Sequence, residues 1–244
     1  MPTILITNDD GYDAPGIEVL ADVASDFGEV WVVAPLTEMS AASHSLTMRR
    51  NITVRRVGRR TYAVDGSPVD SVLIALFEIL PSWPDMILSG VNAGYNLAED
   101  IFYSGTVSAA REGALYGVPS IAISMERKEV MHWDTAGKVA REILEEFINR
   151  RDFRLLSVNF PSVPYGRLRG KLWTYLGNRT YERPVRRNPD GTYTIGGKPS
   201  FTVREGSDVW AVLNLYISIT PLTLDLTDWE VLERMGVGLN ERKI

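Results

Sequence analysis

The chain has 244 residues, of which 45% are hydrophobic, and its formal net charge is −5 at pH 7. This length suits one large domain or one domain with an appendage, and the negative charge excludes a general attraction to nucleic-acid polymers or acidic membranes. The lack of cysteine excludes disulfides, zinc–thiolate sites and a cysteine nucleophile. With no signal peptide and no apolar run of about 18 residues visible, we expect a cytoplasmic protein without a membrane span.

From residue 3 to about residue 160, short apolar runs alternate with stretches of helical spacing. The predicted strands are 4–7, 29–34, 47–57, 62–65, 85–89, 120–124 and 155–160. The predicted helices run from 15 to near 28 and over 68–80, 105–116 and 133–149. Apolar strands alternating with helices indicate an α/β fold, in which a parallel sheet is covered by helices on both faces.

The pattern changes after Pro161. Residues 170–206 have the polar, turn-rich composition of extended arms, with a turn at 188–191 and many arginines and aromatic residues. Such an arm cannot bury much surface by itself, so we expect it to project and to pair with another subunit. Beyond it, the pattern predicts a strand over 210–220 and a short helix over 227–235.

Two adjacent acids, Asp9 and Asp10, follow the first apolar run and precede Gly11. In a parallel α/β sheet, ligands bind at the carboxyl ends of the strands. Two carboxylates there repel each other unless a proton or a cation shields them, and Mg²⁺ or Mn²⁺ is the simplest way to keep both ionised. A plain turn with solvated acids is the alternative. We favour the metal site because two acids at a buried strand end are otherwise an electrostatic cost.

Two other loops carry groups suited to the same chemistry. The loop after strand 85–89 holds Asn92, whose amide oxygen suits a hard cation, although it could equally be a plain glycine loop. The loop after strand 29–34 holds the hydroxyl of Ser40 and one of two histidines, His44. An isolated loop histidine is more often an ordinary hydrogen-bonding residue than a catalyst.

A third segment resembles an anion site. Ser104 is placed to cap the predicted helix 105–116, and the first amides of that helix, at Gly105 and Thr106, suit a phosphate group. A simple cap with nothing bound explains this segment equally well. The predicted sheet places the segments that hold Asp9, Asn92 and Ser40 at the carboxyl ends of its strands. Together with this possible phosphate site, the polar side chains of those segments favour metal-assisted hydrolysis of a phosphate ester.

A series of motifs in the same order along almost the whole chain carries a family resemblance. They lie at residues 8–16, 33–35, 40–47, 66–70, 89–96, 100–107 and 218–225. In these segments the sequence resembles the SurE family, the stationary-phase survival proteins, which are metal-dependent acid phosphatases and 5′-nucleotidases.

The resemblance implies a site in two halves. One divalent cation per subunit, Mg²⁺ or Mn²⁺ with Co²⁺ as a further candidate, would be held by Asp9, Asp10, Ser40 and Asn92. The substrate phosphate would lie near Asn96, Ser104, Gly105 and Thr106.

The resemblance also implies the architecture. It predicts a single domain over 1–244 with a Rossmann-like three-layer αβα sandwich and a mostly parallel sheet. Residues 1–165 would form the core, and 166–244 a projecting β-hairpin arm and a swapped C-terminal tail used in oligomerisation. The expected assembly is a homodimer that can pair into a tetramer.

The implied activity is hydrolysis of nucleoside 5′-monophosphates to nucleoside and phosphate by a metal-activated water, with side activity on 3′-monophosphates and short polyphosphate. Asp9, Asp10 and His44 are the predicted catalytic residues, and Asp10 or His44 would relay protons. The chain departs from the family's usual residues at Ala41, His44 and Ala98. Ala41 and Ala98 slightly stiffen loops of the site, and His44 adds a proton donor that most relatives lack, so the acid–base assignment stays open.

Two alternatives compete with this prediction, one a different catalytic mechanism and the other a function without catalysis. Asp9 as a covalent nucleophile, as in haloacid dehalogenase phosphatases, needs an acid two residues later, where Gly11 stands. A non-catalytic nucleotide sensor on the same fold is the second alternative.

Overall fold

The computed structural model describes residues 1–236. Its strands are β1 (Thr3–Thr7), β2 (Glu29–Pro35), β3 (Val54–Arg56), β4 (Thr61–Val64), β5 (Met86–Ala93), β6 (Ser120–Met125), β7 (Leu155–Phe160), β8 (Lys171–Trp173), β9 (Asn178–Glu182), β10 (Val185–Arg187), β11 (Tyr193–Ile195), β12 (Lys198–Thr202) and β13 (Ile217–Pro221). Its α-helices are α1 (Pro15–Ser25), α2 (Pro68–Ile74), α3 (Gly105–Leu115), α4 (Trp133–Phe147), α5 (Asp208–Leu213) and α6 (Trp229–Arg234). A π-helix (Ala75–Ile79) continues α2, and 3-10 helices lie at Ala98–Phe102 and Tyr165–Arg167.

The main sheet has nine strands in the order β3-β4-β2-β1-β5-β6-β7-β13-β8. Its pairs are parallel except for β3 with β4 and β7 with β13. The chain leaves β1 toward β2 and β4 on one side and then returns to β5 on the other side. The order therefore reverses between β1 and β5, and this switch point is where open α/β sheets bind ligands.

Helices cover both faces of the sheet. Alternate residues of β1 point to opposite faces, so Ile4 and Ile6 pack with α1 and α4 while Leu5 packs with α2 and α3. All three side chains are fully buried. The predicted three-layer α/β arrangement with a mostly parallel sheet is confirmed.

Three predicted elements are wrong in extent or type. Strand pairing over 47–57 is confined to β3, because the segment before it is tied to the start of α2. There Ser67 donates to the Ser45 carbonyl over 2.7 Å, and Asp70 accepts from the Thr47 amide over 3.0 Å. β5 continues past Gly90 to Ala93, with a bulge between Ser89 and Asn92.

The predicted strand over 210–220 begins as helix α5. Ser207 caps this helix by accepting from the amide of Trp210, and Val209 and Val212 are buried on one side of it. The strand follows only at β13. Asn214 ends the helix and separates the two elements, but the apolar runs on either side of it are too short for their periodicity to distinguish a helix from a strand.

The segment after residue 165 contributes to the core as well as to the arm. Strands β13 and β8 extend the main sheet beyond β7, so the core does not end at residue 165. β9 pairs with β12 and β10 with β11 in two separate ladders, which form the predicted hairpin arm. In residues 1–236 no helix is both long and apolar enough to cross a membrane.

Candidate active site

A tight turn ends β1 and fixes the two acids that follow it. The side-chain amide of Asn8 donates to the carbonyl of Gly11 over 2.7 Å, and its oxygen accepts from the Gly11 amide over 3.2 Å. Gly11 has a φ of 114°, which a residue with a side chain adopts only under strain. Asn8 thus closes the loop around Asp9 and Asp10 at the carboxyl end of β1.

The start of α3 lies directly against Asp9. The hydroxyl of Thr106 donates to the Asp9 carboxylate, and the Thr106 backbone amide also stabilises it. A Cβ on Gly105 would come within 2.7 Å of the Asp9 Cβ, so only glycine fits this contact. The anion at this helix N-terminus is therefore the Asp9 carboxylate itself.

Burial dominates the electrostatics of the acid pair. It raises the pKa of Asp9 to about 6, and the neighbouring charge of Asp10 adds to this while the Thr106 hydrogen bonds oppose it. Burial also raises the pKa of Asp10. Two groups oppose this rise: the Ala93 amide, which donates to Asp10 over 3.4 Å, and the positive charge of Arg127. A cation between the carboxylates would remove the cost of ionising both.

The end of β5 supplies amide groups whose orientation is fixed. The Asn92 Nδ2 donates to the Gly94 carbonyl over 2.8 Å. A carbonyl can only accept, so the Asn92 Oδ1 is the atom left free for a cation. Asn96 is held more deeply: its side-chain amide donates to Ser124 over 2.9 Å, and its backbone amide donates to Asn159 over 2.9 Å.

One cavity of about 260 Å³ collects most of the predicted residues. Its walls include Asp9, Asp10, Ser40, Asn92, Asn96 and Ser104. Within residues 1–236, no group of three or more His, Cys, Asp or Glu side chains is placed to hold a metal. The donor set is instead two carboxylates with a hydroxyl and an amide oxygen. All are hard oxygen donors, and they fit Mg²⁺ or Mn²⁺.

The remaining predicted residues lie elsewhere. Gly105 and Thr106 are not cavity walls but stand behind Asp9 and hold it. His44 is not a cavity wall either, because its Nε2 lies 2.6 Å from the buried carboxylate of Glu112 on α3. This pairing joins the loop after β2 to α3 and takes His44 away from the predicted catalytic position.

Eight further cavity walls had no predicted role in the site. Ala41, Ala93, Tyr95, Asp100 and Tyr103 lie in the family motifs, whereas Arg127, Arg179 and Tyr181 lie outside them. Arg179 and Tyr181 belong to the arm, and only the tertiary contact of β9 with the 3-10 helix Ala98–Phe102 brings them here. The richness of the arm in arginine and aromatic residues was the one available signal, and it predicted a subunit interface instead.

The fold and the cavity define a class of α/β protein with a cavity lined by oxygen atoms at the switch point of a mostly parallel sheet. Comparison with known proteins narrows that class. Residues 4–183 match the family model described as survival protein SurE. The chain is 42% identical over 243 residues to the 5′-nucleotidase SurE of Laribacter hongkongensis (strain HLHK9), covering 97% of this chain and 98% of that protein.

A solved structure agrees with this match. The crystal structure of the SurE protein from Aquifex aeolicus superposes with a TM-score of 0.86 at 40% sequence identity, covering 96% of this chain and 98% of that one. This chain belongs to the SurE family.

Proposed function

We propose that this protein is a divalent-metal-dependent 5′-nucleotidase that hydrolyses nucleoside 5′-monophosphates to nucleoside and phosphate. The observation that carries the proposal is the meeting of Asp9, Asp10 and the free Asn92 Oδ1 in one cavity at the switch point. Membership of the SurE family and the similarity to a 5′-nucleotidase support it.

In this proposal Asp9, Asp10, Ser40 and Asn92 hold the cation. When bound, a divalent cation supplies a Lewis acid that activates water and neutralises charge on a phosphoryl group. Thr106 and Gly105 keep the Asp9 carboxylate in place, so these two residues serve the metal half from behind. Mg²⁺ and Mn²⁺ are the proposed cations, with Co²⁺ as a third.

Ser104 and Asn96 form the proposed phosphate half. The Ser104 hydroxyl oxygen accepts from the Val107 amide over 3.0 Å, which leaves its proton free to donate into the cavity. Phosphoryl transfer asks the protein mainly for positioning and charge stabilisation, and a fixed donor of this kind supplies both. Of the two proposed proton relays, Asp10 lies in the cavity and His44 pairs with Glu112.

Removal of the metal tests this function. Phosphate release from AMP should stop after EDTA treatment and removal of free metal, and Mn²⁺ or Mg²⁺ should restore it. Every proposed ligand is a hard oxygen donor, so zinc should not be preferred. Undiminished turnover in the metal-free protein would contradict the metal-dependent mechanism. Metal-restored AMP binding without phosphate release would favour the nucleotide sensor.

The finer assignments are also proposals. We propose side activity on nucleoside 3′-monophosphates and short polyphosphate, which a substrate panel with varied metal would measure. We propose a homodimer that can pair into a tetramer through the arm and the C-terminal tail.

A further inference from the structure

The first strand of the arm is attached to the rim of the cavity. The side-chain amide of Asn178 donates to Glu99 over 3.3 Å, and the backbone amide of Arg179 also donates to Glu99. The hydroxyl of Tyr181 donates to Asp100 over 2.9 Å. β9 is thus held against the 3-10 helix Ala98–Phe102 by side chains, and two of its residues become cavity walls.

Arg179 is the most constrained of these residues. Its guanidinium forms an ion pair with Asp100, and the rings of Tyr181 and Phe201 lie 4.8 and 5.2 Å from its central carbon. Burial lowers the pKa of this guanidinium. Its Nε is buried and has no hydrogen-bond partner. That nitrogen is closed to the solvent, but the Arg179 side chain as a whole is 16% exposed and lines the cavity, so it can contact a ligand bound there.

The position of Arg179 relative to the acids suggests which part of a ligand it meets. Asp9, at the bottom of the cavity, is 6% exposed, whereas Tyr103 and Tyr181 in the wall are 64% and 37% exposed. A phosphate ester with its phosphate near Asp9 would extend its organic part toward these open aromatic residues. Aromatic rings beside a fixed donor suit a nucleoside better than an aliphatic alcohol.

We propose that Arg179 and Tyr181 form the subsite for the nucleoside part of the substrate. The Arg179 guanidinium donates to an acceptor atom of the nucleoside, Asp100 holds the guanidinium in place, and the Tyr181 and Tyr103 rings pack against the nucleoside. These are specificity-determining residues, and they leave the chemistry at the phosphate to Asp9 and its neighbours. The subsite rests on the proposed function, and binding of the two separate products tests it independently of turnover.

The first experiment compares Arg179→Lys with the wild-type protein by calorimetric titration of adenosine and of inorganic phosphate, with Mn²⁺ present. Lysine keeps the charge beside Asp100 but removes the planar guanidinium and its fixed N–H donors. We expect the Kd of adenosine to rise about tenfold, as for loss of a hydrogen bond from a charged donor, and the Kd of phosphate to stay within about twofold. Arg186→Lys on the exposed strand β10 is the matched control and should change neither.

Hydrolysis gives the second readout. In Arg179→Lys, KM for AMP should rise about tenfold with kcat nearly unchanged, while kcat/KM for glycerol 2-phosphate should change by less than about twofold. Equal losses on both substrates would mean that Arg179 only supports the fold, and that result overturns the subsite. An unchanged adenosine Kd, or no adenosine binding by the wild-type protein, also overturns it. Adenosine binding that depends on Arg179 in a protein without turnover would reject the proposed function and keep the subsite.

A second pair of variants tests the aromatic wall. Tyr181→Ala removes the ring and should weaken adenosine binding by roughly fivefold or more, the range measured for base stacking on an aromatic side chain. Tyr181→Phe keeps the ring and loses only the hydrogen bond to Asp100, so it should bind adenosine more tightly than Tyr181→Ala does. Equal affinities in these two variants would exclude packing of the nucleoside on Tyr181.

Discussion

At the scale of single residues, Asp9 links the folding of the protein to its proposed metal. Burial raises the pKa of Asp9 to about 6, above its unfolded value of about 4, so the folded protein holds this proton more tightly than the unfolded chain does. Without a cation, ionising Asp9 therefore reduces stability as the pH rises from about 4 to about 6. Below about pH 6 a cation must displace this proton in order to bind. Above about pH 6 the carboxylate is already ionised and binds the cation directly.

We expect the stabilisation by Mn²⁺ to depend on pH in this direction. The rise in Tm on adding saturating Mn²⁺ should be larger at pH 7.5 than at pH 5, because binding then needs no proton release and stabilises only the folded state. Thermal unfolding with and without Mn²⁺ at the two pH values measures it. Asp9→Asn, which cannot ionise, is the control and should remove most of the increase. A larger Tm rise at pH 5 would contradict the assignment of Asp9 as a ligand.

Asp9→Asn and Ser104→Ala should fail in different ways. Asp9→Asn removes a full charge from the proposed metal half, so metal affinity and turnover should fall together. Ser104→Ala removes one donor from the phosphate half, a loss that typically costs about 10²–10³ in rate, and should leave Mn²⁺ affinity nearly unchanged. Calorimetric titration of Mn²⁺ beside AMP hydrolysis at saturating metal separates the two effects. If Ser104→Ala lost Mn²⁺ binding while Asp9→Asn kept it, the assignment of the metal half and the phosphate half would be wrong.

At the scale of elements, the contact between α3 and β1 explains why the site is assembled where the sheet reverses. The helix begins at Gly105 because Ser104 caps it, and Gly105 and Thr106 then meet Asp9 at the end of the strand. A helix N-terminus stabilises a negative charge through its free amides and its dipole. The sequence suggested that the start of α3 binds a phosphate, but in the structure it stabilises the carboxylate of Asp9.

Gly105→Ala tests that contact with a substitution at a residue that does not itself line the cavity. The new Cβ would lie 2.7 Å from the Cβ of Asp9, so either α3 or the carboxylate must move. We expect weaker Mn²⁺ binding and an AMP hydrolysis rate reduced at least tenfold, since small displacements of a catalytic group are costly. Gly166→Ala is the matched control, because its Cβ meets nothing within 4 Å. Normal Mn²⁺ affinity in Gly105→Ala would contradict the role of α3 in positioning Asp9.

Much of this arrangement follows from local sequence signals. The limits of β7 were predicted to the residue, and the start of α3 follows from its Ser104 cap. Asp9, Asp10 and Asn92 meet because the ends of parallel neighbouring strands share one edge. The position of His44 depends on Glu112, which is 68 residues away. That of Arg179 depends on Glu99, 80 residues earlier in the chain, and no local pattern encodes such pairings.

At the scale of the whole molecule, the arm divides into a base and a tip with different surroundings. The base, β9 with β12, contacts the rim of the cavity through Arg179 and Tyr181. The tip, β10 with β11, is exposed throughout, and Ile195 reaches 85% exposure. An isolated two-stranded ladder with exposed apolar side chains is marginal in water, which favours contact with another subunit. A deletion of residues 179–198 would remove the whole tip together with Arg179 and Tyr181, so it would change the cavity and the proposed interface at the same time.

Removal of the tip alone separates these effects. The Gly196 amide donates to the Pro184 carbonyl over 2.8 Å, so the two ends already lie side by side, and an Asn-Gly turn can replace residues 185–195. We expect light scattering to show a shift toward smaller species, because the exposed apolar residues of the tip are gone. KM for AMP should stay within about twofold, because Arg179 and Tyr181 remain in place. Loss of even one hydrogen bond to the substrate would raise KM by more than that. An unchanged mass would contradict the interface. A large rise in KM with a reduced mass would show that the cavity wall depends on assembly, because a neighbouring subunit would then be needed to hold the base of the arm against Glu99 and Asp100.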